Sequence, residues 1–326
     1  MTGPGPTGAP SGMTGPDGGT GPHGGTGPDG GTGSAVTPER TGVGPRNRTA
    51  RFAWGAVVVI LIAVISLVVY ALTSTTPAQS EAHPAPTAAG IVSELSSVPA
   101  ATFDSVGATP TPSVPMVPPT LLTGQPLLTA SGKPEVLFVG AAFCPFCAAE
   151  RWPLIVALSR FGRFTKLHDM QSAPTSVFPG TQTFTFAKVG YTSRYVTLTG
   201  VELYSDGTDV NGTFTRIASL TPGQQALVDR YRGAGPPGTL PGEFPFVDIG
   251  NRLVTSTASF SPAVLSRLSQ ATIAGDLAQA QGPAGQAIVA AANQLTAGIC
   301  MSSGQRPARV CASRGVRSAA ATLGPA

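Results

Sequence analysis

The strongest constraint on the fold is a pair of cysteines, Cys144 and Cys147, that lies where the pattern of the chain changes. Residues 136–140 before the pair are apolar and predict a buried strand, while residues 148–161 after it follow a helical pattern. A thiol at a helix N-terminus lies beside unpaired backbone N–H groups, which favour the thiolate that attacks disulfides. Pro145 suits this first turn because the N–H that it lacks would have no helical partner. The spacing therefore predicts that Cys144 attacks a disulfide and that Cys147, one turn later, resolves the mixed disulfide.

Two interpretations without redox chemistry stay open for this pair. It could be half of a zinc site, although the sequence contains neither a second Cys-x-x-Cys nor a His-rich partner segment. It could also be a structural disulfide on an inactive scaffold. The solvent exposure of Cys144 Sγ distinguishes the inactive scaffold from the redox site. A reactive site needs an accessible Cys144 Sγ in an open groove, whereas a scaffold would bury it.

The N-terminal part of the chain is expected to anchor the protein in a membrane. Residues 53–72 form a run of 20 without a charged side chain, and a helix needs about 20 residues to cross a bilayer. No Lys or Arg follows this run before Lys133, whereas the run is preceded by Arg40, Arg46, Arg48 and Arg51. The positive-inside rule then places the N-terminus in the cytoplasm and the rest of the chain outside. A cleaved signal peptide is the alternative, but the run is long and begins far from the N-terminus.

Composition divides the chain into five segments. Its 41 glycines and 32 prolines exceed the usual share of about 12% for the two together, and they concentrate in residues 1–50, a predicted disordered cytoplasmic tail. The predicted segments that follow are a transmembrane helix at 51–73, a linker at 74–89, an extracytoplasmic domain at 90–312 and a tail at 313–326. The net charge of +4 is spread out without a basic stripe, so nucleic acid is not an expected partner.

The extracytoplasmic segment alternates between β and helical patterns. β-rich segments up to residue 204 predict an insertion after the cysteine helix. Thr221 and Pro222 predict the N-cap and the first residue of a helix. Residues 243–254 predict two strands joined by a Gly-Asn turn, with Pro245 at the entry to the first. Further helices are predicted to begin at Ser261-Pro262 and to present Ile288, Ala292, Leu295 and Ile299 on one face.

These motifs resemble two known groups of proteins. Residues 126–270 are similar to thioredoxin-like domains, through Cys-Pro-Phe-Cys at 144–147, the Phe-Pro-Phe segment around Pro245 and the order of the two. Residues 132–140 and the run Phe-Cys-Pro-Phe-Cys-Ala-Ala-Glu-Arg-Trp at 143–152 resemble the domain-of-unknown-function 929 family (DUF929), over about residues 90–312. That family comprises membrane-anchored proteins with no established activity, so the resemblance implies a fold and a topology but no substrate.

The resemblance to thioredoxin-like domains also implies a role for Pro245. Such folds place a cis-proline at the start of this hairpin, where the preceding backbone faces the cysteines and can pair with a substrate peptide. A trans proline at the start of an edge strand is the alternative. Well-studied thioredoxins carry a buried carboxylate six residues before the first cysteine, a position that Phe138 occupies here. The nearest carboxylate is Glu150, which we expect to face solvent rather than to lie under the active site.

Cys300 and Cys311 lie outside the redox motif, and we predict a structural disulfide between them. Cys300 directly follows a helical face, and the segment after it contains Gly304 and Pro307 and can turn back on itself. No further His or Cys stands near the two cysteines to complete a metal site. In the alternative, one of them pairs with Cys144 or Cys147, and the site becomes a regulated switch.

Together these features predict an α/β protein. Its thioredoxin-like domain would have a central mixed sheet flanked by helices, with a β-rich insertion, after one N-terminal transmembrane helix. The predicted function is thiol–disulfide exchange on envelope or secreted proteins, with Cys144, Cys147 and Pro245 as site residues. A non-enzymatic binding or scaffold module of the cell envelope is the alternative. The expected partners are the lipid bilayer, through residues 53–72, and protein thiols or disulfides of the envelope, and we expect neither a cofactor nor a bound metal.

Overall fold

The structure, a computed structural model, describes residues 61–66, 68, 84–110, 114–232 and 244–324. The chain divides into two units, Met1–Thr75 and Thr76–Ala326. In the first unit, the described residues 61–66 and 68 are helical. The predicted tail at 1–50 and most of the predicted membrane helix at 53–72 lie outside the described residues. Within the described ranges, no helix has the length and apolar character that a membrane crossing requires.

The second unit contains the secondary structure that builds the candidate site. Its described strands are β1 (Thr120–Leu121), β2 (Thr129–Ala130), β3 (Lys133–Gly140), β4 (Gly162–Gln171), β5 (Gln182–Ser193), β6 (Thr197–Glu202), β7 (Tyr204–Thr208), β8 (Phe214–Arg216), β9 (Phe246–Ile249) and β10 (Leu253–Thr255). Its described helices are α1 (Ala89–Ser96), α2 (Ala100–Val106), α3 (Pro145–Ser159), α4 (Pro222–Tyr231), α5 (Gln270–Asp276), α6 (Pro283–Ser302), α7 (Ala308–Cys311) and α8 (Arg314–Thr322), with a 3-10 helix at Pro262–Leu265.

Strand β3 is the centre of a mixed sheet. It pairs in parallel with β6 and antiparallel with β9, and β9 continues the sheet through β10 to β1. β2 forms a short antiparallel pair with the first residues of β3. Side chains alternate across the strand, so Val136 and Phe138 enter one core while Leu137 and Val139 enter another. The strand is apolar throughout its second half because both of its faces are covered.

Helices cover both faces of this sheet. α3 and α6 pack against each other in the core that contains Phe138, whereas Val228 and Tyr231 of α4 join the core that contains Leu137. The predicted apolar face of α6 is fully buried, with Ile288, Ala292, Leu295 and Ile299 all at 0% exposure. The architecture is therefore mixed α/β with a mixed sheet flanked by helices, which confirms that part of the predicted fold class.

A long antiparallel hairpin follows α3 in the region where the sequence predicts a β-rich insertion. β4 pairs with β5 along most of its length, with shifts of register near Lys166. The hairpin is attached to α3, since Trp152 Nε1 donates to the Gln182 carbonyl at 2.8 Å and Tyr191 Oη donates to the Leu158 carbonyl at 2.9 Å. These bonds hold the insertion against the helix that carries the cysteines.

The C-terminal region differs from the sequence-based expectation in two places. The helix expected from Ser261-Pro262 is only a 3-10 helix of four residues, and α5 begins later, at Gln270. Part of the predicted tail at 313–326 is helical, since Arg314–Thr322 form α8, which packs against α2 and α6. Its buried residues are Gly315, Val316 and Ala319, and a Cβ at Gly315 would clash with the Phe103 carbonyl oxygen. Close backbone approach thus replaces large apolar side chains in this contact.

Cys300 and Cys311 form a disulfide, as the sequence predicts. Cys300 lies near the end of α6 and Cys311 ends α7, so the bond ties α7 to α6. Cys144 and Cys147 are both free thiols, and the alternative pairing across the two groups of cysteines is not observed.

Candidate active site

Cys144 occupies the N-cap of α3, a few residues after the end of β3. The backbone N–H of Cys147 donates a hydrogen bond to Cys144 Sγ, with nitrogen and sulfur 3.3 Å apart, and Pro145 lies in the first turn. The predicted layout of strand, cysteine pair and helix is therefore confirmed. The sulfur takes the capping role that a Ser or Asp oxygen usually fills, and it lies at the positive end of the helix dipole, which favours the thiolate.

The two thiols differ in how readily they ionise. A hydrogen bond from the Cys147 side chain lowers the pKa of Cys144, and the Cys147 backbone N–H and the charge of Arg151 act in the same direction, against the effect of burial. Burial raises the pKa of Cys147 well above its usual value, and the hydrogen bond to Cys144 raises it further. Cys144 is therefore the thiol suited to attack, and Cys147 stays protonated beside it.

Neither sulfur lies in the open groove that the redox interpretation expects. Cys144 is 5% exposed and Cys147 is fully buried, so Cys144 is the thiol nearer to the surface. Phe146, between the two cysteines, is exposed. A partner would therefore meet Phe146 at the surface and Cys144 only at its small exposed part.

A buried ion pair lies beside the cysteines. Arg151 follows Cys147 by one helical turn, and its Nε and Nη2 donate to Oε1 and Oε2 of Glu202 at 3.0 and 2.7 Å. Nη2 also donates to the Ala141 carbonyl at 3.1 Å. Both side chains of the pair are buried. Glu202 ends β6 opposite Gly140, so the parallel pairing of β6 with β3 brings its carboxylate to the edge of the sheet that carries the cysteines.

Glu150 is fully buried, so the expectation that it faces solvent is wrong. Its carboxylate accepts hydrogen bonds from the backbone N–H and the hydroxyl of Ser259, at 2.7 and 3.2 Å. Burial raises the pKa of Glu150 to about 7, although both hydrogen bonds act to lower it. The side chain therefore links α3 to the segment after β10.

Phe138 lies six residues before Cys144, the position compared above with the buried carboxylate of well-studied thioredoxins. Its ring packs edge-on against Phe186, with centroids 4.9 Å apart, and Arg151 Cζ lies 5.2 Å from its centroid. A Cβ on Gly140 would lie 2.5 Å from the Phe138 ring and 3.3 Å from Cys147 Sγ, so the close packing requires glycine there. An apolar ring and a guanidinium thus surround the buried thiol in this protein.

Pro245 lies at the same edge of the sheet as the cysteines. The Phe244–Pro245 peptide bond is cis, as predicted. Pro245 directly precedes β9, whose first residue, Phe246, pairs with Val139 near the end of β3. The rings of Phe143 and Phe244 are 5.8 Å apart. The structure therefore brings the segment that contains Pro245 next to the segment that contains Cys144.

Aromatic side chains surround the cysteine motif, a feature that the sequence analysis did not single out. Phe143 stacks on Phe214 with centroids 3.9 Å apart, and it also contacts Tyr204 and Phe244. Arg151 and Glu202 were likewise missed as site residues. A signal existed for Arg151, since an arginine within a largely apolar helix, one turn after Cys147, must find a partner if it is buried. No local signal identifies Glu202 as that partner.

The structure supplies no further ligands for the zinc interpretation. In the part of the chain that it describes, no three His, Cys, Asp or Glu side chains form a group that could hold a metal ion. The groups beside the two thiols are instead a guanidinium and backbone N–H donors.

Comparison with known proteins agrees with the resemblance in sequence. No curated protein and no solved structure matches this chain. A family model does match, over residues 123–301, which is more than half of the chain and includes Cys144, Cys147, Arg151, Glu202 and Pro245. The protein therefore belongs to the family described as domain of unknown function (DUF929).

Proposed function

We propose that the protein is a membrane-anchored thiol–disulfide exchange protein that acts outside the cytoplasm on envelope or secreted proteins. The observation that carries this proposal is the contrast between Cys144, which caps a helix and has a lowered pKa, and Cys147, which is buried and has a raised pKa. Thiols of this kind suit an attacking and a resolving role. The Cys300–Cys311 disulfide supports an oxidising compartment, and the apolar run at residues 53–72 is the proposed anchor.

The fold that we propose for the domain is thioredoxin-like. In its support, β3 leads into the cysteine motif and α3, and β6 then pairs in parallel with β3. Pro245 follows and precedes the antiparallel pair of β9 and β10, with α6 after them. This order, together with the edge that Pro245 and Cys144 share, agrees with the resemblance in sequence.

The proposed reaction has two exchange steps. The Cys144 thiolate attacks one sulfur of a partner disulfide; a bond forms between the two sulfurs, and the other partner sulfur leaves as a thiolate. Cys147 then loses its proton and attacks Cys144 Sγ, which forms the Cys144–Cys147 disulfide and releases the second partner sulfur. The partner is reduced and the cysteine pair is oxidised, and the reverse sequence transfers the disulfide to a partner dithiol.

Trapping the mixed disulfide tests this proposal. Reduced full-length Cys147→Ser protein in detergent is mixed with glutathione disulfide, and the modified peptide is identified by mass spectrometry. We expect glutathione to stay on Cys144 in this variant, to be released in the unchanged protein, and to be missing at this site from the matched Cys144→Ser variant. A Cys144 that reacts no faster than in the unfolded chain would remove the proposal.

A non-enzymatic binding module of the envelope is the second candidate, and the 5% exposure of Cys144 favours it. In that case the aromatic side chains around the motif would form a contact surface, and the cysteines would only support it. Disulfides of increasing size separate the two functions. An exchange site must react both with glutathione disulfide and with a disulfide carried by a larger peptide. A structural pair would react with either of these disulfides only after the protein unfolds.

A further inference from the structure

The guanidinium of Arg151 has a donor that the rest of the described chain leaves unused. Nε and Nη2 are taken by Glu202 and by the Ala141 carbonyl, but Nη1 is buried without a hydrogen-bond partner in the described residues. Burial lowers the pKa of Arg151, but the charge and hydrogen bond of Glu202 and the charges of the two cysteines together outweigh it, so the net shift is upward and the group stays charged. Buried polar atoms nearly always have partners, and an exception calls for an explanation such as a catalytic role.

The chemistry of the neighbouring thiol provides such an explanation. In the reduced protein, three effects keep Cys147 protonated: its burial, its hydrogen bond to Cys144 and the negative charge of the Cys144 thiolate. When Cys144 enters a mixed disulfide, its charge disappears, and its sulfur becomes a weak acceptor. Burial then remains as the main obstacle to ionisation, and the positive charge of Arg151 acts against it.

We infer that Arg151 supplies the positive charge that stabilises the Cys147 thiolate while it resolves a mixed disulfide on Cys144. The inference rests on the proposed exchange function and adds a third group to it. In this step the Cys147 thiol gives its proton to solvent, and its sulfur bonds to Cys144 Sγ. The bond from Cys144 to the partner sulfur breaks, and the partner leaves as a thiolate that takes up a proton.

Glu202 holds the guanidinium in place for this step. The bidentate pair fixes the plane of the guanidinium, and Glu202 Oε1 also accepts a hydrogen bond from the Phe186 backbone N–H at 3.0 Å. The charged or titratable groups around Cys147 are Cys144 and Arg151 on α3 and Glu202 on β6. Glu150, also on α3, is bonded to Ser259, and β3 contributes only apolar side chains in its second half. Arg151 is thus the positive charge that acts on the resolving thiol.

The pH dependence of resolution tests the inference. Excess glutathione disulfide is mixed with reduced full-length protein between pH 5 and 10, and the rise and decay of the mixed disulfide on Cys144 are followed in acid-quenched samples. The test variant is Arg151→Gln/Glu202→Gln, which removes both charges together, and Arg151→Lys is the matched variant that keeps the positive charge. If the pKa of Cys147 rises by one unit, the fraction of thiolate at neutral pH falls about tenfold, while the nucleophilicity of that thiolate increases about threefold. The rate of resolution at neutral pH therefore falls about threefold per unit.

We expect the double variant to resolve the mixed disulfide more slowly at pH 7, with its pH–rate profile displaced to higher pH. Arg151→Lys should keep the profile of the unchanged protein. A folded double variant with an unchanged profile would overturn the inference for Arg151 and leave the exchange function standing. If glutathione disulfide gives neither the mixed disulfide on Cys144 nor the Cys144–Cys147 disulfide in the unchanged protein, both proposals fail. Should the double variant not fold, Arg151→Met/Glu202→Met replaces the pair with apolar side chains, an exchange that buried ion pairs often tolerate, and the same two outcomes apply.

Discussion

Glu150 and Ser259 are joined by two hydrogen bonds in the interior of the domain, from the backbone N–H at 2.7 Å and from the hydroxyl at 3.2 Å. The carboxylate belongs to the helix that carries the cysteines, but its partners lie after the hairpin that Pro245 begins. The two segments that approach each other at the candidate site are therefore also linked deeper in the fold.

Glu150 should make the protein less stable as the pH rises. Its pKa in the folded state is about 7 because of burial, above the usual value of 4.5, so the folded state binds the proton more tightly than the unfolded state does. Its favourable contribution is full below pH 4.5 and is lost as the pH rises to about 7. Glu150→Gln should remove this slope and raise the free energy of unfolding above pH 7 by an amount on the order of 3 kcal/mol. Denaturant unfolding at several pH values measures it.

Asp248 is the control for that measurement. Burial also raises its pKa from 3.8 to about 6, so Asp248→Asn should flatten the stability profile between these values and leave the slope between pH 6 and 7 to Glu150. If Glu150→Gln leaves the slope between pH 4.5 and 7 unchanged, the carboxylate is not the group responsible.

Cys147 should control the acidity of Cys144 through its side chain. The hydrogen bond from the Cys147 thiol is the largest effect that lowers the pKa of Cys144. Cys147→Ala removes this donor and should raise that pKa, whereas Cys147→Ser keeps an O–H donor and should raise it less. Rates of iodoacetamide alkylation across pH give both values. Equal titration of Cys144 in the two variants would contradict the role of the hydrogen bond.

Gly140→Ala should disturb the packing around the buried thiol. The added methyl group would lie 2.5 Å from the Phe138 ring and 3.3 Å from Cys147 Sγ, and such overpacking costs about 1–3 kcal/mol. Gly90→Ala is the matched control, since nothing lies within 4 Å of a Cβ there and the residue is in a helix. It should be neutral or stabilising, by up to about 1 kcal/mol. Thermal and denaturant unfolding of the two variants would show equal stability if the close contact were absent.

Loss of the Cys300–Cys311 disulfide should destabilise the domain without removing its redox chemistry. The bond closes a loop with a sequence separation of 11 residues, worth roughly 3 kcal/mol in the chain-entropy account. Cys300→Ala/Cys311→Ala should unfold at lower denaturant and still form the mixed disulfide at Cys144. Non-reducing peptide mapping of the unchanged protein provides the control, because two free thiols at these positions would remove the prediction.

The proposed topology predicts the outcome of reporter fusions. A reporter that is active only outside the cytoplasm should be active when fused after Ala326 and inactive when fused before Met1. The expectation follows from the four arginines that precede the apolar run at residues 53–72. The opposite pattern of activity would reverse the orientation.

The sequence was sufficient for features that depend on neighbouring residues. The cysteine pair at the start of a helix, the apolar face of α6 and the turn between β9 and β10 follow from spacing of up to four residues along the chain. The Cys300–Cys311 pairing was also predictable, because few cysteines exist and these two lie close in sequence. Local hydrogen bonds and helical periodicity depend on residues a few positions apart, so a short stretch of sequence is enough to predict them.

Only the tertiary structure shows that the charged side chains of α3 are buried and which residues they pair with. Glu202 is 51 residues from Arg151, and Ser259 is 109 residues from Glu150, so no local pattern connects them. The pairing of β6 with β3 brings Glu202 to the cysteines, and the segment after β10 brings Ser259 to Glu150. The state of a buried charge depends on which partner the fold places beside it and on how much water it excludes, and both are properties of the assembled sheet and helices.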